Sequence, residues 1–212
     1  MEIDLVLRKH YCDKANDHHC YSSYYDTLLS PIKNDSKNLL EIGIFRGESI
    51  KAWFEYLPYF SIHAVDVCPR EKLHAKALNA LNLPRISATF GDSTHAVTAD
   101  AVRSKQASFD VIIDDGMHLP WHNLHTFLNF FPLLKTGGTY VIEDVHPAHI
   151  ESLETINNTT RDQNQRDNID QYKKVFFQDQ FLKTLHEAGT VTYYDSRHLS
   201  SKPDSYIIQI VK

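Results

Sequence analysis

Short apolar runs alternate with amphipathic segments along the first two thirds of the chain. Each apolar run is rich in β-branched or aliphatic residues and ends at Gly, Pro or an acidic residue, which is typical of a buried parallel strand. In the segments between them, apolar residues recur every three or four positions, as in a helix that packs one face. The predicted strands are residues 39–44, 61–67, 86–92, 109–116 and 139–145, and the predicted helices are 48–57, 71–83, 94–105 and 121–134.

The last third of the chain follows a different pattern. Residues 151–168 are almost wholly polar, which predicts a loop or a lid over a site. Residues 169–188 have a helical pattern, and 189–196 and 205–212 read as two strands joined by a polar turn. We therefore expect the chain to close on an antiparallel hairpin.

Strands that alternate with helices in this way form βαβ units and a parallel sheet with right-handed crossovers. Together with the hairpin, they predict an α/β fold: a Rossmann-like, doubly wound, seven-stranded sheet that is mostly parallel. The length of 212 residues suits one domain over 1–212, with 1–37 as an N-terminal helical segment.

Composition excludes several function classes. The net charge is −5 and no basic run is present, so nucleic acid is not an expected partner. No stretch approaches the roughly 18 apolar residues of a membrane span, and the N-terminus lacks the apolar core of a signal peptide. Three Cys do not make a disulfide framework. We expect a cytoplasmic protein that does not bind a membrane.

The N-terminal segment brings several His and Cys residues close together in sequence. None of them shows the paired spacing of a zinc finger, so a polar helix and loop is favoured there over structural zinc. The residues are His10, Cys12, His18, His19 and Cys20.

The turn after the first strand carries two glycines, Gly43 and Gly47, and Gly47 opens the next helix, whose N-terminus offers free N–H groups. Gly43, Gly47 and Ser49 are therefore candidate cofactor-binding residues, together with Glu41 on the strand. A dinucleotide-binding turn would have a third glycine where this chain has Phe45, which leaves less room for a pyrophosphate. The pattern therefore favours a cofactor without phosphates, and the acidic Glu41 suits a positively charged group on it. The alternative is an ordinary strand–helix turn.

Acidic residues also end the second and third strands. Asp66 is placed to accept hydrogen bonds from ribose hydroxyls, and Asp92, with Ser93, to bind an adenine amine. Each residue alone is equally typical of a helix N-cap.

Two acidic pairs, Asp114-Asp115 and Glu143-Asp144, follow the fourth and fifth strands. These strand ends should be neighbours, and four carboxylates at one rim repel each other unless protonated or bridged by a cation. Oxygen ligands favour Mg²⁺ or Ca²⁺, with Mn²⁺ as a further candidate. His118 lies three residues beyond Asp115 and is a candidate general base. The alternative is that the carboxylates are helix caps and loop anions.

At this point a resemblance to a known family enters. The segments EIGIFRGES, AVDV, GDST, FDVIIDDGMH and LLKTGGTYVIEDVH resemble class I methyltransferases that use S-adenosylmethionine (SAM). They look most like the metal-dependent sugar O-methyltransferases that act on mycinamicin and rhamnosylated tetracenomycin-type compounds. The similarity covers roughly residues 10–150 and includes the N-terminal DKANDHHCYSSYYDTLL.

The resemblance implies a Mg²⁺ ion held by Asp115, Glu143 and Asp144, with Asp114 able to replace Asp115. Met117 stands where the family has Ser, and Ala15 where it has Gly, and neither change removes a proposed ligand. The resemblance also implies which residues bind SAM. These are Glu41, Gly43, Asp66 and Asp92.

The expected activity is methyl transfer from SAM to a hydroxyl of a small molecule, a sugar or diol-like acceptor, with His118 or a carboxylate such as Asp114 removing the proton. Alternatives are a metal-independent SAM methyltransferase, a non-catalytic SAM or nucleotide sensor, and an NAD-dependent oxidoreductase, which Phe45 disfavours. The sequence does not identify the acceptor. A homo-oligomer stays open, because 11 Tyr and 11 Phe leave room for an interface.

Overall fold

The computed structural model describes residues 1–145 and 176–212, without the side chains of 176–179. The predicted lid at 151–168 and the first part of the helix predicted at 169–188 lie outside these residues. Within the described ranges, no helix is long and apolar enough to cross a membrane.

The core of the fold is a seven-stranded sheet with the order β3-β2-β1-β4-β5-β7-β6. Strands β1 to β5 run parallel, whereas β7 pairs antiparallel with both β5 and β6. This arrangement confirms the predicted Rossmann-like sheet and its C-terminal hairpin. The strands are β1 (Asn38–Ile42), β2 (Ser61–Asp66), β3 (Ile86–Phe90), β4 (Phe109–Asp114), β5 (Leu134–Ile142), β6 (Thr190–Asp195) and β7 (Tyr206–Val211).

Helices cover both faces of the sheet, because consecutive residues of a strand point to opposite faces and both must be buried. Leu39 packs into one apolar cluster with residues of the first four helices, and its neighbour Leu40 packs into the other with residues of the last three. The described helices are α1 (Glu2–Lys9), α2 (Ser22–Leu29), α3 (Glu48–Tyr56), α4 (Ala75–Leu81), α5 (Ala96–Lys105), α6 (Pro120–Phe130) and α7 (Phe176–Ala188).

One predicted helix, at 71–83, is shorter than its apolar pattern suggested. The backbone is extended at Leu73 and at His74, and α4 begins only at Ala75. The imidazole of His74 caps α4, because its Nδ1 accepts a hydrogen bond of 3.1 Å from the backbone N–H of Lys76.

The fifth strand begins earlier than predicted. Residues 135–138, which lie between the predicted helix at 121–134 and the predicted strand at 139–145, belong to β5, and Gly137 has a φ of +76° within it. Pairing with β4 shifts from Phe109 opposite Leu134 to Val111 opposite Thr139, which is a bulge. Helix α6 accordingly ends at Phe130, and a short 3₁₀ turn leads into the strand.

Candidate active site

A cavity of about 690 Å³ opens at the carboxyl ends of the parallel strands. β1 lies between β2 and β4, so the chain order reverses here, and this is where open α/β sheets bind ligands. The loops that follow β1, β2, β3 and β4 all contribute to its wall. Among the lining residues are Gly43, Asp66, Asp92, Asp114 and Asp115.

The turn after β1 approaches the loop after β4 so closely that only glycine fits. Gly43 has a φ of +101°, and a Cβ added there would lie 2.1 Å from the carbonyl oxygen of Asp115. Phe45 also has a left-handed backbone, with a φ of +47°, and its side chain is 73% exposed at the cavity. Backbone strain of this kind concentrates at functional sites.

Asp66 orders this turn. Its Oδ2 accepts hydrogen bonds from the backbone N–H groups of Ile44 (2.8 Å) and Phe45 (3.3 Å), and its Oδ1 accepts one from Cys68 (2.7 Å). The carboxylate also lines the cavity. It therefore holds the turn after β1 against the end of β2 and faces the space inside the cavity.

Asp92 and Ser93 line the neighbouring part of the cavity. Asp92 Oδ1 accepts hydrogen bonds from the backbone N–H and the hydroxyl of Thr94, and these bonds lower the pKa of the carboxyl. The Ser93 hydroxyl is 2.8 Å from that of Thr126. Both groups are therefore fixed in place.

Three residues predicted to bind the cofactor lie elsewhere. Glu41 is fully buried, accepts a hydrogen bond of 3.1 Å from Trp53 Nε1, and has its pKa raised to about 7 by burial. Gly47 packs against α4, where an added Cβ would lie 2.9 Å from that of Ala80. Ser49 lines a separate cavity of about 50 Å³. The predicted residues on the large cavity are Gly43, Asp66, Asp92 and Ser93.

The residues of the two acidic pairs have different surroundings. Within the described part of the chain, one group of three side chains brings potential metal ligands within 4.8 Å of one another: Asp115, His118 and Asp144. His118 Nε2 lies 3.8 Å from Asp115 Oδ1. His118 and Asp144 have left-handed φ angles of +55° and +51°, so the local backbone conformation sets the direction of both side chains.

Asp144 is held by the N-terminal segment. Its Oδ1 accepts a hydrogen bond of 2.8 Å from the Tyr21 hydroxyl and lies 3.2 Å from His19 Nδ1. Burial, with the nearby charge of Asp115, raises the pKa of the Asp144 carboxyl to about 7.

Glu143 faces a buried lysine. The Lys14 ammonium, 2% exposed, contacts Glu143 Oε2 and lies 2.6 Å from Asp115 Oδ2 and 3.9 Å from Glu41 Oε1. The Tyr25 hydroxyl donates to Glu143 Oε1. Burial lowers the pKa of Lys14, but the surrounding carboxylates raise it by more, so the ammonium stays charged.

Asp114 takes a position different from that of Asp115. It is fully buried in the cavity wall, where its Oδ2 accepts a hydrogen bond of 3.0 Å from Asn123 Nδ2, and burial raises its pKa to about 6. Asp115 is the member of this pair that reaches the cluster with Asp144.

Sequence reasoning missed four residues that hold the acidic pairs: Lys14, His19, Tyr21 and Tyr25. All of them lie in the N-terminal segment that carries part of the family resemblance. That segment was the available signal, but their roles depend on contacts with strand ends more than 100 positions away. The zinc alternative finds no support among the described residues, because His10 pairs with Glu55 and His19 with Asp144.

Comparison with known proteins agrees with this geometry. A family of methyltransferase domains matches residues 40–145, which contain the Gly43 turn and both acidic pairs. The chain belongs to this methyltransferase family.

Curated relatives of this methyltransferase are named as O-methyltransferases. They include the mycinamicin VI 2''-O-methyltransferase of Micromonospora griseorubida, 29% identical over 155 residues. Another is the 8-demethyl-8-(2-methoxy-alpha-L-rhamnosyl)-tetracenomycin-C 3'-O-methyltransferase of Streptomyces olivaceus, 30% identical over 155 residues. Each match covers 70% of this chain but only 37% and 38% of the two relatives, so the chain spans well under half of their length.

Solved structures show the same fold. MycE, a methyltransferase of the mycinamycin biosynthetic pathway, was solved with Mg and S-adenosylhomocysteine (SAH). It superposes with a TM-score of 0.70 at 19% identity, and the match covers 100% of this chain and 55% of that one. A structure described as a putative caffeoyl-CoA O-methyltransferase, from Staphylococcus aureus, superposes with a TM-score of 0.62 at 19% identity. The match covers 90% of this chain and 83% of that one. At these identities the likeness concerns the fold.

Proposed function

We propose that this methyltransferase moves the methyl group of SAM to a hydroxyl of a small-molecule acceptor, a sugar or another diol, beside a bound divalent ion. One observation carries the proposal: a cavity of cofactor size shares Asp115 with the Asp115–His118–Asp144 cluster. The named activities of the relatives, which are sugar O-methyltransferases, support the same reaction class.

The cavity suits SAM in size and in chemistry. Its volume of about 690 Å³ lies within the usual range for small-molecule sites. Asp66 would accept hydrogen bonds from ribose hydroxyls, and Asp92 with Ser93 would contact the adenine. Phe45, where a dinucleotide-binding turn has glycine, disfavours a pyrophosphate.

The cluster suits a divalent ion such as Mg²⁺, with Mn²⁺ or Ca²⁺ as alternatives. Asp115 and Asp144 offer carboxylate oxygens, and Mg²⁺ commonly binds through one or two carboxylates, its other positions filled by water or substrate. When bound, such an ion would orient two acceptor oxygens and lower the pKa of a hydroxyl. Glu143, the third predicted ligand, keeps that role as a prediction until its contacts with Lys14 and Tyr25 are tested.

His118 is the best-placed proton acceptor. Its side chain is 35% exposed and its Nε2 lies 3.8 Å from Asp115 Oδ1, so it faces the place where an acceptor hydroxyl would bind. Asp114, the other predicted catalytic group, is held in the cavity wall by Asn123 and would act on the reaction less directly.

The test combines ligand binding with turnover. Isothermal titration of SAH should give micromolar affinity, and methyl transfer to diol-bearing sugars or catechols should stop in EDTA. Asp144→Asn should lose metal-dependent turnover yet keep SAH affinity. Asp100→Asn, an exposed change on α5, is the matched control. Full turnover of Asp144→Asn would exclude the metal role, whereas SAH binding without transfer to any acceptor would favour the sensor alternative.

A further inference from the structure

The carboxyl ends of β1, β4 and β5 carry more negative charge than the proposed ion needs. Of the five carboxyl groups there, Asp114 bonds to the neutral amide of Asn123 and belongs neither to the metal-ligand cluster nor to the ion pairs of Lys14. The others are Glu41, Asp115, Glu143 and Asp144.

Lys14 already supplies one cation at this place. Its ammonium is as buried as Glu41 and Glu143, and it lies within 4 Å of both and of the partly exposed Asp115. Buried charges require such pairing, because removing one partner leaves the other charge uncompensated where water cannot solvate it. The lysine therefore occupies a position that a metal ion could otherwise take.

The two members of the second acidic pair face different partners. Both oxygens of Glu143 are engaged, Oε2 by Lys14 and Oε1 by the Tyr25 hydroxyl. Asp144 makes neither contact and lies in the cluster with His118. Asp115 contacts both Lys14 and the cluster. Its Oδ2 accepts a hydrogen bond from Lys14, and its Oδ1 faces His118.

We propose that the carboxylates are divided between two cations: Lys14 is the built-in counter-ion of Glu41 and Glu143, the divalent ion binds Asp144, and Asp115 bridges the two. Lys14 then competes with the ion for Asp115, because its ammonium neutralises part of the carboxylate charge that the ion would use. Glu143 lies outside the coordination sphere, which departs from the ligand set that the family resemblance implies. This division rests on the proposed divalent ion.

Mn²⁺ titration followed by electron paramagnetic resonance tests the division without requiring turnover. Glu143→Gln keeps the shape of the side chain and should weaken Mn²⁺ binding by about tenfold, as for a group outside the coordination sphere, whereas Asp144→Asn should weaken it by more than about a hundredfold. Asp100→Asn should match the wild type. Equal losses in Glu143→Gln and Asp144→Asn would overturn the division and leave the metal-dependent function standing. A wild-type protein that binds no Mn²⁺ would overturn both.

Lys14 itself gives the second test. Lys14→Met removes a positive charge 2.6 Å from the shared Asp115, so a folded variant should bind Mn²⁺ more tightly, by about tenfold, and Mn²⁺ should raise its melting temperature more than that of the wild type. Lys14→Arg keeps the charge and should restore wild-type affinity. Unchanged or weaker Mn²⁺ binding by folded Lys14→Met would overturn the proposal, and if the variant does not fold, Glu143→Gln decides alone.

Discussion

The hydroxyl of Tyr21 donates a hydrogen bond of 2.8 Å to Asp144 Oδ1, across 123 positions of sequence. Tyr21 is almost completely buried, so the bond is shielded from water and orients the carboxylate. The loop before α2 thus supports Asp144, the more exposed residue of the Glu143-Asp144 pair. Loss of a group that orients a metal ligand in this way typically lowers metal affinity by about tenfold to a hundredfold.

Tyr21→Phe should therefore weaken Mn²⁺ binding by about tenfold, because Asp144 loses the donor that orients it. The affinity for SAH should not change, since Tyr21 does not line the cofactor cavity. Titrations of both ligands measure this. Tyr24→Phe is the matched control, as its hydroxyl bonds to Gln209 instead. Equal Mn²⁺ affinity in Tyr21→Phe and the wild type would refute the orienting role.

Gly43→Ala should unfold the protein or abolish SAH binding. The added Cβ would lie 2.1 Å from the Asp115 carbonyl oxygen, and the φ of +101° is unfavourable for alanine, so the turn and the loop after β4 would have to separate. Gly137→Ala is a useful comparison. Its φ is also positive, at +76°, but no atom lies within 4 Å of the new Cβ, so it should cost only about 1–2 kcal/mol. Denaturant unfolding and SAH titration would measure both, and similar effects of the two changes would contradict the steric argument.

Asp66→Asn should weaken SAH binding by about tenfold to a hundredfold. The amide loses the negative charge that accepts three backbone hydrogen bonds, and charge-assisted bonds contribute roughly 1.5–3 kcal/mol each. The turn at Ile44 and Phe45 would then be less ordered. Asp100→Asn again serves as the control, because Asp100 is exposed. Unaltered SAH affinity in Asp66→Asn would show that the turn does not depend on this carboxylate.

The contribution of His63 to stability should fall in mild acid, whatever the other titrating groups contribute. Burial, together with the charge of Lys105, lowers the pKa of His63 from 6.5 to about 4, while its ring nitrogens contact the hydroxyls of Ser87 and Thr89. Between these pH values the unfolded chain binds a proton that the native protein does not. The contribution of His63 to the free energy of unfolding is therefore nearly constant above pH 6.5 and decreases as the pH falls towards 4, by about 2 kcal/mol at pH 5.

Urea unfolding at pH 7 and pH 5 measures this effect. The loss attributable to His63 should disappear in His63→Gln, which does not titrate, so the two proteins should differ in their pH dependence. An identical pH dependence in both would mean that His63 is not responsible.

The strand pattern was predictable because a doubly wound sheet leaves a strong signal. Strands β1, β2 and β4 are buried on both faces, so they appear as continuous apolar runs, and the glycines and acidic residues that follow them mark the strand ends. The break before α4 was not predictable, since it depends on His74 capping the helix with its own imidazole.

The same contrast holds for the site. Acidic residues that follow consecutive parallel strands must meet at one edge, so Asp66, Asp92 and Asp115 were identifiable from their positions alone. The different contacts that these residues make could not be predicted from their positions. Whether Asp114 or Asp115 faces the cluster depends on which side of the turn each side chain leaves, and that follows from packing against Asn123.

Chain order and hydrophobic period determined the sheet, its switch point and the acidic rim, because local patterns dictate which residues are buried and where strands end. Only the tertiary structure brought the N-terminal segment back across the sheet, so that Lys14, Tyr21 and Tyr25 contact carboxylates more than 100 residues away. No local pattern encodes such contacts, because pairing offsets the cost of burying these charges, and the groups are buried together only once the whole core has formed.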